Sequence, residues 1–299
     1  LALLCGVILL TGLAGCGNSD SAPQPTLPPI PEGMTEDEAR YWAPLPPDRS
    51  GIPVLLYHGI GPTTDFSDPT DAAYGVDAES FEKQLTMIKY AGYQTVGLST
   101  FLDFVQGRPA DLPARPFLLT FDDARRNSLT GAGAVLKKLG FTAVMFVDVG
   151  SVERGQEEYL TWPELAQMAS GDTWELQVHS GKGHRRIRYG PGPDDIGNYY
   201  AYRAVGESFP EWQKRVRSDI TWAERTLKKH LPSFEAQAFA PPYGDYGQQG
   251  TNDERIPPDL LGWLDSRYAA VFTQDVNARA RPGAPNPLGR LQITRATAG

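Results

Sequence analysis

Aspartates, histidines and one tyrosine stand at the ends of apolar runs in this chain. Phe117-Leu118-Leu119-Thr120-Phe121 ends in the adjacent carboxylates Asp122 and Asp123. Trp174-Glu175-Leu176-Gln177-Val178 ends at His179, and His184 follows across Ser180-Gly181-Lys182-Gly183. Pro53-Val54-Leu55-Leu56-Tyr57 ends at His58, and Gln237-Ala238-Phe239-Ala240 leads into Pro241-Pro242-Tyr243-Gly244. One carboxylate plus two imidazoles leaves open positions on a divalent ion, as a hydrolytic site requires. The glycines between the two histidines let the loop fold back so that both rings can face one point. Neighbouring side chains on an extended segment point to opposite sides, so the two aspartates can take different tasks. An Asp pair after a strand is by itself most often a helix cap, and two nearby histidines can both be solvated. Both features gain weight from standing together at strand tips in a chain with only 4 His.

The elements that must position these groups follow from the pattern around them. Short apolar runs bounded by turn residues read as buried strands of a parallel sheet. Between them lie helical segments. Asp77 caps one in which Phe81, Leu85 and Ile88 share a face, closed by Gly92. Ser99 or Thr100 caps a short one ended by Gly107, and 128–139 form another, stopped by Gly140. Thr161 with Glu164, and Ser208 with Glu211, fit capping boxes. After the second, Trp212, Val216, Ile220 and Leu227 recur at helical spacing up to His230, read as a surface capping residue. Residues 180–206 show no periodicity and read as a long loop whose Arg185, Arg186 and Arg188 are solvated. Last strands are expected at 269–273 and 291–294. Strand and helix alternate some seven or eight times, which means a parallel sheet covered by helices, barrel or doubly wound. Barrels of this kind keep their chemistry at the C-terminal strand ends.

Composition narrows the class. The chain has 299 residues and a net charge of -8, which argues against a nucleic-acid partner. Its 2 cysteines, Cys5 and Cys16, precede the folded part, so that part uses neither disulfides nor a Cys zinc site. No Gly-x-Gly-x-x-Gly, P-loop or Gly-x-Ser-x-Gly motif is present. Residues 1–15 are apolar, short for a membrane span, and match a signal-peptide core that begins inside the signal. Leu13-Ala14-Gly15-Cys16 resembles a bacterial lipobox, with Cys16 as the lipidated residue. Residues 17–49 are polar and Pro-rich and read as a semi-rigid tether, containing a short helix within 35–41, that does not pack. The catalytic domain is read as 50–299.

The motifs Thr120-Phe121-Asp122-Asp123-Ala124, His179 to His184 and Phe239-Ala240-Pro241-Pro242-Tyr243-Gly244 together resemble the polysaccharide deacetylases, the NodB-homology or carbohydrate esterase family 4 type. The opening Pro53 to His58 adds to the likeness, which covers about 50–295. It implies an α/β fold, a distorted (β/α)7-8 barrel. It assigns Asp123, His179 and His184 to a divalent metal, zinc foremost, although that donor set also suits Co, Ni, Mn or Fe. It makes Asp122 the general base and gives the Tyr243 backbone N–H to the oxyanion. His58 is the candidate for the general acid or for polarity in the acetate pocket. The four-residue gap between the histidines resembles the branch that de-N-acetylates poly-β-1,6-N-acetyl-D-glucosamine, the biofilm exopolysaccharide; the commoner gap is three. The segment around Arg215-Val216-Arg217 and the lipoprotein start point the same way. The implied protein is exported, lipid-anchored to a bacterial membrane, and works beside other exopolysaccharide export proteins.

Three departures stand against this reading. Ala124 replaces the usual Gly. Ala240 stands where the family often places an Arg that orients the catalytic Asp, which puts the tuning of Asp122 in doubt. No His follows His230, so the usual C-terminal general acid is missing. The alternatives are a deacetylase of peptidoglycan, chitin oligomers or xylan, and a catalytically silent glycan-binding lipoprotein.

Overall fold

The computed structural model describes residues 28–275 and 277–297. The expected signal segment and the lipobox at Cys16 lie outside the described residues. The first half of the chain contains α1 (Glu36–Tyr41), β1 (Ile52–Tyr57), α2 (Pro69–Tyr74), α3 (Ala78–Tyr90), β2 (Gln94–Thr95), α4 (Leu98–Val105), β3 (Pro116–Phe121), α5 (Gly133–Leu139), β4 (Ala143–Asp148) and α6 (Val149–Arg154). Then come α7 (Trp162–Ser170), β5 (Trp174–Ser180), β6 (Arg186–Arg188), β7 (Ile196–Asn198) and α8 (Phe209–His230). The chain closes with β8 (Ala238–Phe239), α9 (Ile256–Asp265), β9 (Ala270–Val271), β10 (Arg279–Ala280) and β11 (Leu291–Gln292).

One sheet organises them, with the order β10-β1-β3-β4-β5-β8-β9; β2 pairs with β3 and β11 with β1. Every pairing is parallel except β1 with β10. The sheet curls into a distorted, partly open barrel, as the resemblance implies, and so decides between the barrel and doubly wound forms that the alternation left open.

Period-2 alternation divides the core. Val54, Leu118, Val144 and Phe146 join Ala238, Ala240 and Phe272 in an inner cluster. Leu55, Tyr57, Leu119, Phe121, Met145 and Val147 meet the helices in an outer one. With both faces covered, these strands must be apolar throughout, which is why they read as continuous runs. Leu118, Thr120 and Asp122 share one parity, so Asp122 inherits an inward direction from the strand before it.

The capping boxes at Thr161 and Ser208 form as expected, as does one at Thr35. Gly140 ends α5 in the left-handed conformation. The helix α8 buries Trp212, Val216, Ile220, Ala223 and Leu227 along one face. Trp212 also donates its indole N–H to the Tyr200 carbonyl at 3.0 Å. Trp212→Ala should therefore cost about 3–5 kcal/mol of stability, read by urea denaturation.

Four expectations are corrected. The cap of α4 is Gly97, not Ser99 or Thr100; the Leu98 N–H is satisfied instead by Glu175 at 2.8 Å. The stretch 180–206 is not all loop, because β6 and β7 pair as an antiparallel ribbon. The segment 128–139 begins as a five-residue π-helical turn, Ser128–Ala132, before α5. The described part of the Pro-rich segment packs: Ala39 and Trp42 are buried, and Met34 and Leu45 lie against the outer cluster. Arg279 pairs with Asp48 at 2.7 Å, fixing the segment's C-terminal end to the sheet edge. Those few apolar side chains find a docking face on the domain, which a compositional reading of prolines does not register.

Candidate active site

Two strand tips and the loop beyond one of them converge. Asp123 follows β3, His179 lies near the end of β5, and His184 returns from the loop beyond it. One ligand atom from each lies within 4.8 Å of the others. Asp123 Oδ1 is 3.4 Å from His179 Nε2 and 3.0 Å from His184 Nε2. Two ligands held tetrahedrally at about 2.0–2.1 Å from one ion stand about 3.3 Å apart, so these separations suit a shared cation. Asp123 Oδ1 is buried without a hydrogen-bond partner, which also fits a metal donor. His179 Nδ1 lies 2.6 Å from the Ala240 carbonyl. That contact fixes the tautomer with the proton on Nδ1 and leaves the Nε2 lone pair to face Asp123.

The backbone turns sharply to achieve this. Asp123 has φ 76° and Ala124 φ 59°, both in the left-handed region. The turn swings Asp123 out of the strand's line and toward the two imidazoles. Ala124 therefore occupies a position that suits Gly, at a cost of about 1–2 kcal/mol. Tyr243 is likewise left-handed, with φ 62°. Its ring stands 4.8 Å from that of His184, over the same cavity.

Asp122 takes the other direction. It is fully buried and forms a two-pronged pair with Arg290, Oδ1 to Nη1 and Oδ2 to Nη2, both at 2.7 Å. Burial pushes its carboxyl pKa up, and Arg290 foremost, with His179, outweighs that and holds it below the usual carboxylate value. Each carboxylate oxygen keeps a second lone pair, so the pair with Arg290 does not stop Asp122 accepting a proton from water. Arg290 also sits between Phe146 and Phe272, 5.3 and 6.0 Å from their ring centres. The doubt raised by Ala240 is thereby corrected: an Arg does orient this Asp, and it arrives from the residue before β11. The only sequence signal for Arg290 is a charge set against an apolar strand segment near the C-terminus.

The cavity above these groups has a volume of about 320 Å³ and includes His58, Tyr243 and Gln292 in its wall. His58 is buried, 5.4 Å from the Tyr74 ring, and burial lowers its pKa despite the opposing pull of Asp123 and Asp122. It is thus neutral at pH 7. Arg186 lines the mouth, 5.8 Å from the Tyr243 ring, rather than being a plain loop charge. His230 lies away from the cavity, stacked on Trp162 at 4.0 Å. Sequence reasoning also missed Arg125, which is 3% exposed and sets its guanidinium 3.5 Å from Asp123 Oδ2 and against Asp71 on α2. That contact directs the second Asp123 oxygen away from the histidines. Burial opposes charge on His184, but Asp123 outweighs it and raises the imidazole to about 9.

Residues 110–254 match the polysaccharide deacetylase family model. Among solved structures, the chain is similar to a de-N-acetylase from Aggregatibacter actinomycetemcomitans, with 18% identity and a TM-score of 0.69 over 83% of this chain and 98% of that one. It is similar to IcaB from Ammonifex degensii, with 23% identity and a TM-score of 0.66 over 83% of this chain and 94% of that one. It is also similar to the BpsB deacetylase domain from Bordetella bronchiseptica, with 20% identity and a TM-score of 0.62 over 84% of this chain and 98% of that one. At these identities the likeness is one of fold. No curated protein sequence matches the chain.

Proposed function

We propose, from the match of residues 110–254 to the polysaccharide deacetylase family model, that this chain hydrolyses N-acetyl groups of an extracellular N-acetylglucosamine polymer, poly-β-1,6-N-acetyl-D-glucosamine. The observation that carries the chemistry is the meeting of Asp123, His179 and His184 within 4.8 Å. These three residues would hold a divalent ion. When bound, such an ion polarises the acetamide carbonyl and lowers the pKa of water toward about 7.

The chain's own groups supply the rest. Asp122, kept ionised by Arg290, takes the proton of the attacking water as its oxygen bonds to the carbonyl carbon. The turn at Tyr243 offers a backbone N–H to the developing oxyanion. Pro241 and Pro242 stiffen that turn. The C–N bond then breaks, the proton taken up by Asp122 is returned to the departing nitrogen, and acetate and the free amine leave. His58, in the cavity wall, would serve as the general acid or supply polarity to the acetate pocket, and its burial, which disfavours the charged imidazole, supports the second role.

The four-residue gap between the histidines supports the choice of polymer, and the fold likeness to a de-N-acetylase and to the BpsB deacetylase domain supports the type of reaction. The test is acetate release from β-1,6-linked N-acetylglucosamine oligomers, set against chitin oligomers, peptidoglycan and acetylated xylan. The β-1,6 oligomers should be the best substrate, with release stopping on chelation and resuming on addition of metal. Preference for another glycan would move the substrate, and no release from any of them would favour a binding protein.

The Leu13-Ala14-Gly15-Cys16 tetrad supports export and lipid attachment at Cys16. Cys16→Ser should shift the protein from the membrane to the soluble fraction, and continued sedimentation with membranes would remove the anchor. Among the described residues, no helix is long and apolar enough to cross a membrane.

A further inference from the structure

A buried carboxylate outside the chemistry above grips the loop that carries His184. Asp219 lies on the inner face of α8 and is 8% exposed. Its Oδ1 accepts the Lys182 N–H at 2.6 Å, and its Oδ2 accepts the Gly181 N–H at 3.2 Å. Oδ2 also accepts the Tyr200 hydroxyl at 2.7 Å. The flanking contacts are equally close. The Ser180 hydroxyl donates to Asp148 at 2.7 Å. A Cβ on Gly181 would lie 2.6–2.8 Å from Asp219 and Trp222, and one on Gly183 would lie 2.3 Å from the Tyr200 ring. Every residue between the two histidines is thus held by Asp148, Asp219 or Tyr200.

We propose that Asp219 is a positioning residue for the metal centre, acting through the backbone of Gly181 and Lys182 to fix where His184 presents Nε2. The inference rests on the reading of Asp123, His179 and His184 as a metal site. The two histidines need different support. His179 is placed by β5 and by the Ala240 carbonyl. His184 stands beyond the strand, its side chain 26% exposed, on a loop with two glycines that are costly to order. Hydrogen bonds from backbone N–H groups to a carboxylate are about twice as strong as neutral ones, so one buried Asp can hold such a loop. Asparagine at 219 would turn one acceptor into a donor facing a donor, leaving a loop N–H unpaired.

The test is zinc titration of the full chain by calorimetry with a competing chelator. Asp219→Asn should lower zinc affinity by about 10–100-fold, the usual effect of losing an outer-shell partner. Tyr200→Phe, which removes one donor and keeps the shape, should lower it less. In a His184→Ala background, neither change should have much further effect, because the ligand they position is gone. Unchanged affinity in both variants, or an equal loss with and without His184, would overturn the proposal. If Asp219→Asn does not fold, the Tyr200→Phe pair of measurements decides alone. A wild-type chain that binds no zinc would overturn the metal reading itself, a result distinct from a binding wild type with unaffected variants.

Discussion

Asp122→Asn should keep divalent-metal affinity and lose about 10²–10⁴-fold in deacetylation rate, the range that general-base catalysis supplies. The expectation follows from strand parity. Asp122 continues the inward line of Leu118 and Thr120 and meets Arg290, whereas the left-handed turn at Asp123 carries the next carboxylate to the histidines. The two neighbours therefore have separable tasks. Asp123→Asn should lose metal and activity together, while Asp122→Asn should lose activity alone. Calorimetry with zinc beside an acetate-release assay checks both. An Asp122→Asn enzyme that stays active, or that no longer binds metal, would refute the division.

Arg290→Leu should destabilise the domain by about 3–5 kcal/mol, because it strands a charge in the barrel interior. Against a typical total of about 5–15 kcal/mol, that is a large loss. The pair is not expected to be a net stabiliser. Asp122→Leu/Arg290→Leu, with both charges gone, should regain much of the stability, as buried pairs replaced by apolar groups often do. The pH dependence separates the cases by sign. In the wild-type chain the Asp122 pKa is depressed, so its contribution is present above the ordinary value of about 3.9 and is lost as pH falls through the folded-state value. In Arg290→Leu, burial acts without its main counterweight and raises the pKa. That variant should lose stability as pH rises from about 3.9 through its folded-state value, the opposite slope. Urea midpoints measured across this range check the sign. Equal slopes in both proteins would mean that Arg290 does not set the Asp122 charge. The same change should move the acid limb of the rate profile to higher pH.

Much of this fold and site was legible because the signals are local. Apolar runs marked the central strands, and Thr161 with Glu164 and Ser208 with Glu211 marked helix starts to the residue. The histidine loop announced itself through its two glycines, at both of which a neighbouring side chain leaves no room for a Cβ. What escaped depends on distant partners or on very short elements. Strands β6 and β7 are three residues each, and Ile187 is the one large apolar side chain at the centre of β6, too little to set a period. Helix α9 starts at Ile256 followed by Pro257 and Pro258, residues that suit a first turn, where no intrahelical donor is needed, but give no periodic signal of a helix. Arg290 meets Asp122 from 168 positions away, and Asp219 meets Lys182 from 37. No spacing rule connects such pairs; only the closing of the barrel and the packing of α8 bring them together.

The most direct test of the account is anomalous diffraction from a crystal of this chain soaked with zinc or cobalt. The account predicts one ion bound by Asp123, His179 and His184, with Asp122 beside it but paired to Arg290 rather than coordinating. An ion bound elsewhere, or one that takes Asp122 in place of Asp123, would contradict it.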